Sequence, residues 1–148
     1  MEVKNLFEPV VKQDILDRLN KLSPETKAEW GKMNVAQMMA HCQMPMGVGL
    51  GVHKIPRSFV GRLFGSLIKP IIYNDKPFKK SLPTDKSFIM ADPKDFAKEK
   101  EKLSSMIREF KEENITDSPH PLFGKLTKEQ WSKATWKHLD HHLRQFGA

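Results

Sequence analysis

The chain has 148 residues, 39% of them hydrophobic, and a net charge of +7, which suits one domain over 1–148 with a sizeable core. Its one cysteine, Cys42, excludes an intramolecular disulfide framework and fits a reducing cytoplasm, and no apolar run is long enough for a transmembrane helix. The opening MEVKNLFEPV lacks the pattern of a secretory signal, and lysines spread among 18 acidic residues read as mildly basic surface, not a nucleic-acid footprint.

Periodicity predicts a first helix over Pro9–Leu22, with Val10, Ile15, Leu16, Leu19 and Leu22 as its apolar face. Ser23-Pro24 stops it, because a residue before proline avoids the helical region. A second helix begins after Asn34, an effective N-cap, with Val35, Met38, Met39, Cys42 and Met46 as its stripe. His41 lies about 120° from the centre of that stripe. It reaches an interior site only if the helix is wedged between two neighbours and buries a wider arc. Pro45, the glycine-rich 47–51 and His53 then loosen the pattern. The glycine run is no phosphate loop, since the lysine-serine ending and a preceding strand are missing.

Residues 58–72 are apolar with Arg57, Arg62 and Lys69 interspersed. They read as a short connecting helix packed on the bundle, in preference to a membrane-surface helix or a lid, because two glycines weaken the helix. The same segment is the basis for expecting a homodimer. Asn74 to Ser87, with Pro77, Pro83 and four lysines, is a long basic crossover: a solvated linker or a surface for an anionic substrate. Asp92-Pro93 supplies an N-cap and first-turn proline for a third long helix through Glu113, with Phe96, Leu103, Met106, Ile107 and Phe110 inward. Residues 118–124 turn the chain into the last helix. No strand pattern and no repeat emerge. The prediction is an all-α four-helix bundle with a long crossover between helices 2 and 3.

The last helix, between Thr127 and Gly147, has signals at both ends. Thr127 and Gln130 form a capping box, Gly147 suits a left-handed C-cap, and Arg144 lies in the last turn near the negative end of the dipole. Trp131, Thr135, His138, His142, Gln145 and Phe146 fall on one stripe, with His141 at its edge. His138 and His142 are one turn apart on that inward face. Such a pair is either hydrogen-bonded core or the geometry from which a helix chelates a metal, and the Glu of an HExxH signature is missing. Cys42 beside His41 reads as core packing, because adjacent helical residues diverge by about 100°. Trp131 and Trp136 read as core too.

The stretch HPLFGKLTKEQWSKATWKHLDHHLRQFG, with NVAQMMAHCQ of the second helix, resembles the DinB-like superfamily of metal-dependent enzymes. That resemblance implies an up-down-down-up bundle with three histidine ligands meeting at one end. By motif position these are His41, His138 and His142, with His141 beside them as a supporting or surface residue. It also implies a divalent metal (zinc, nickel or iron) and, in some relatives, a low-molecular-weight thiol used for transfer or isomerisation. Three neutral imidazoles leave an open position where a thiol or water can bind and lose its proton.

The first functional expectation is therefore a metal-dependent enzyme, thiol transferase in type, acting on a small-molecule substrate and not on nucleic acid or membrane. The second is a non-catalytic binding bundle with a structural or vestigial metal. A basic nucleic-acid or lipid binder ranks third, since no Arg-rich helix or stacking-aromatic motif supports it.

Overall fold

In the computed structural model, which describes residues 1–82 and 86–148, the described chain is all-helical. It forms α1 (Pro9–Asn20), α2 (Val35–Gly49), α3 (Phe59–Ile68), α4 (Phe96–Glu109) and α5 (Lys128–Gln145). Short 3-10 turns cover Lys69–Ile72, Lys86–Phe88 and Glu112–Asn114. The helix count is thus five among the described residues, since 59–68 forms a helix of its own within the crossover. Pro83, a marker of that crossover in the sequence, lies outside the described residues.

The first helix turns a slightly different face inward than expected. Val11, Ile15, Leu19 and Leu22 are buried, whereas Val10 is 74% exposed. Steps of four, four and three keep the buried set on one stripe, and Val10 lies about 140° from Ile15 around the axis. In α2, Asn34 and Gln37 form a capping box, with Oδ1 of Asn34 accepting from the Gln37 N–H at 2.9 Å. The helix runs through Pro45 to Gly49 instead of loosening there. Pro45 has no N–H to offer the His41 carbonyl one turn earlier, so the helix continues with that one bond missing.

The third long helix starts later than Asp92-Pro93 suggests. Asp95 is the N-cap, its carboxylate accepting from the Lys98 N–H at 2.7 Å, while Asp92 pairs with Lys94 at 2.8 Å. It also ends earlier, at Glu109. Phe110, fully buried, leaves the helical region, and Lys12 Nζ donates to its carbonyl at 2.9 Å. A side chain from α1 thus satisfies a carbonyl at the helix end, one of the groups that lack intrahelical partners.

Helices α1, α2, α4 and α5 enclose the core, which includes Ile15, Leu19, Met39, Met46, Leu103, Ile107, Leu139 and Leu143. α2 packs against both α4 and α5, so nearly its whole circumference is buried, including His41. Asp140, buried on α5, joins α1 to α5: Arg18 donates to it at 2.8 Å and Arg144 at 3.0 Å. Arg18 also donates to the Ala148 carbonyl at 3.0 Å. Among the described residues no helix is long and apolar enough to cross a membrane.

Candidate metal centre

His41 comes from the middle of α2, and His138 and His142 from successive turns of α5. Their nearest ring nitrogens all lie within 4.8 Å of one another. Nε2 of His41 and Nε2 of His138 are 3.1 Å apart. Two nitrogens each about 2.0–2.1 Å from a tetrahedral zinc would be ~3.3 Å apart, so this pair already has the separation of two ligands. His41 and His142 are buried, and His138 keeps partial exposure toward the cavity it lines.

Hydrogen bonds fix which nitrogen His41 and His142 present. Nδ1 of His41 is 2.8 Å from the Phe88 carbonyl, which only accepts, so Nδ1 carries the proton and Nε2 a lone pair. Gln145 Nε2 donates to the Trp30 carbonyl at 2.6 Å, which orients the amide. Its Oε1 therefore faces His142 Nδ1 at 2.7 Å and accepts from it, leaving the second lone pair on Nε2 of His142. Holding one imidazole nitrogen so that the other is free is what supporting residues do in metal sites.

Burial also keeps the rings neutral. It pushes the His142 pKa down to about 3, with His41 lowering it further. It lowers His41 as well, against the opposing effect of the Phe88 carbonyl. His138 is driven well below the ordinary imidazole value by burial first, then by His142 and His41. Neutral imidazole is the form that coordinates a metal. Three neutral rings with convergent nitrogens fit a divalent ion, and the 3.1 Å contact between His41 and His138 is equally a hydrogen bond when no ion is held.

His141 is not among the three. Its ring packs edge-on between Trp30 and Phe78, with centroids 5.8 and 5.7 Å away. Cys42 is buried in the core, its thiol 3.7 Å from the Met38 sulfur, and burial raises its pKa. It is an inert packing residue.

A cavity of about 930 Å³ adjoins the three histidines. Its described walls are mainly apolar: Ile68, Ile71, Ile72, Phe78 and Phe88 from the connection between α2 and α4, and Trp131 from α5. No Asp or Glu is among its described lining residues. Gln145 stood on the predicted stripe without a role, and its spacing of three from His142 was the available signal. The Phe88 carbonyl belongs to the backbone and leaves no mark in the sequence.

No curated protein and no solved structure is similar enough to match. The comparisons correct the DinB-like assignment: nothing links the chain to that superfamily, and the family model that matches is a different one. Over residues 10–148 it is the family described as "Protein of unknown function (DUF1569)", and the chain belongs to it.

Proposed function

We propose that this chain is a metal-dependent enzyme in which His41, His138 and His142 hold a divalent ion beside an apolar cavity. The observation that carries this reading is the convergence of three neutral imidazoles on the cavity wall. Zinc, nickel or iron suits such a set, and when bound it would lower the pKa of a thiol or water at its open position. The four-helix core of α1, α2, α4 and α5 supplies the rigid frame, and the crossover closes the cavity over it.

Among nucleophiles, a low-molecular-weight thiol suits this cavity best. Its described walls hold no carboxylate to take a proton from water. A thiol, with an ordinary pKa near 8.5, needs only a modest lowering to ionise at neutral pH. The apolar walls would hold a small electrophile and exclude water from the thiolate. The reaction class is thiol transfer.

The test is metal analysis of protein purified without a histidine tag, followed by thiol-transfer assays against a panel of electrophiles. One metal per chain, with activity that leaves on chelation and returns on reloading, is expected. Stoichiometric metal without activity across many thiols would favour a non-catalytic binding bundle.

A further inference from the structure

α3 is built inside out for a helix of a free-standing bundle. Its packed face is made of glycine: a Cβ at Gly61 would lie 2.7 Å from the Leu122 carbonyl oxygen, and one at Gly65 would also collide with it. The glycines let the helix lie directly on the 121–122 backbone. Its large side chains face the other way. Phe59 and Leu67 are about three-quarters exposed, and Val60, Leu63 and Phe64 are more than half exposed. Turning 100° per residue, these five span an outward arc of about 140°. An apolar stripe this broad on the solvent side is not part of the chain's own core, and such contiguous patches mark contact surfaces.

The charge around it identifies what it contacts. Residues 52–82 hold seven Lys and Arg against one acidic residue, Asp75, so this segment carries nearly all of the chain's net +7. None of the seven forms an ion pair with a carboxylate among the described residues. Of these, Arg62 lies on α3 itself, and Arg57 and Lys69 stand at its two ends, so positive charge flanks the apolar stripe. A two-fold dimer through this face would set like charges against themselves, because a two-fold contact pairs each patch with its own copy. An anionic lipid surface complements both the charge and the apolar arc. A ten-residue helix is about 15 Å long, half a bilayer core, so it lies in the interface and does not span.

We propose that α3 and its flanks dock this protein on an anionic membrane surface, with Phe59, Leu63 and Leu67 entering the headgroup boundary and Arg57 and Arg62 meeting lipid phosphates. Ile68 and Ile71, at the end of the same helix and just beyond it, line the cavity beside the histidines. Docking therefore places that cavity next to the hydrocarbon. On the reading of the cavity as a substrate site, the substrate class narrows to apolar electrophiles that partition into lipid.

The experiment is co-sedimentation of the full chain with vesicles of mixed phosphatidylglycerol and phosphatidylcholine, against phosphatidylcholine alone, at low and high salt. Binding to the anionic vesicles is expected to fall tenfold or more in the double variant Phe59→Ser/Leu67→Ser, and to weaken with salt. Both residues are exposed, so the variant should keep its helicity, which circular dichroism checks. A wild-type chain left in the supernatant with anionic vesicles overturns the proposal. So does a double variant that binds like wild type, or one that loses only self-association in ultracentrifugation. His138→Ala is expected to bind vesicles as wild type does, so a failure of the metal reading leaves this result unchanged.

Discussion

Lys137 Nζ donates to the Asn74 carbonyl at 2.9 Å and to the Asn74 side-chain oxygen at 3.0 Å. It also donates to the Ile71 carbonyl at 2.5 Å and lies 4.6 Å from the centroid of the Phe78 ring. This buried ammonium on α5 holds the far end of the α3 segment against the core. Burial pushes its pKa down to about 8, against the opposing charge of Asp75. Lys137→Met keeps the stem and removes the donors, leaving the Ile71 and Asn74 carbonyls without them. Stability should drop by about 2 kcal/mol, read as a lower urea midpoint. Amide hydrogen exchange over residues 69–82 should rise more than in α1 or α4.

Removing one histidine should separate ligands from neighbours. His138→Ala or His142→Ala should abolish stoichiometric metal binding by calorimetry, while His141→Ala should retain most of it. None of the three changes should unfold the bundle, whose apolar core does not depend on an ion. Burial holds all three ligand rings below the ordinary imidazole pKa. Metal binding should therefore persist below pH 6.5 and be lost at lower pH, when protons finally compete. Full occupancy in His138→Ala would refute the assignment.

Gln145 is a positioning residue, and its effect should appear in metal affinity. Gln145→Leu leaves the His142 ring without the acceptor that fixes its proton on Nδ1. A loss of 10- to 100-fold in metal affinity is expected. Gln145→Glu, which retains an acceptor, should recover part of it. Equal losses in the two variants would point to a packing role alone.

His120 supplies a pH dependence unrelated to the metal ligands. Its Nδ1 accepts from the Leu122 and Phe123 N–H groups at 3.0 and 3.2 Å, and burial lowers its pKa to about 4. The unfolded ring takes up a proton near pH 6.5 and the folded ring only near 4. The stabilising effect of the neutral ring is thus complete above pH 6.5 and declines as pH falls toward 4, by on the order of 3 kcal/mol. His120→Asn keeps a short acceptor and removes the titration. Denaturant midpoints of wild type and variant between pH 4 and 7 should converge at the acid end if this is right.

The helices were legible wherever a cap or a periodic stripe spoke for them. Thr127 with Gln130, and Asn34 as an N-cap, each marked a helix start through local hydrogen bonds, and the structure adds Gln37 as the partner of Asn34. His138 and His142 were legible as a pair for the same reason. His41 was not settled by periodicity, because its burial depends on α2 being enclosed by both α4 and α5, a tertiary fact. The start of α4 was misread because two aspartates, Asp92 and Asp95, are both good caps, and only packing selects the second. Its end was misread because a lysine from another helix takes the Phe110 carbonyl. The crossover was the least legible segment. Glycines that look like helix breakers at 61 and 65 are the residues that seat α3 on the Leu122 backbone.

The bond from Gln145 to the Trp30 carbonyl gives the protein an optical reporter. Trp30 is linked through that amide to His142, and its indole also meets the edge of His141 and the ammonium of Lys80, 4.3 Å from its ring centroid. Any shift of His142 on loading of the centre must be transmitted to the segment that carries this indole. Its emission depends on nearby imidazole and cationic groups, so it should change in step with occupancy. Trp131 and Trp136, buried in α5, add emission of their own, and Trp131 also lines the cavity, so the Trp30→Phe variant is needed to isolate the Trp30 signal. A simple fluorescence titration, with Trp30→Phe as its blank, can then follow the centre without a dye, a tag or a known substrate.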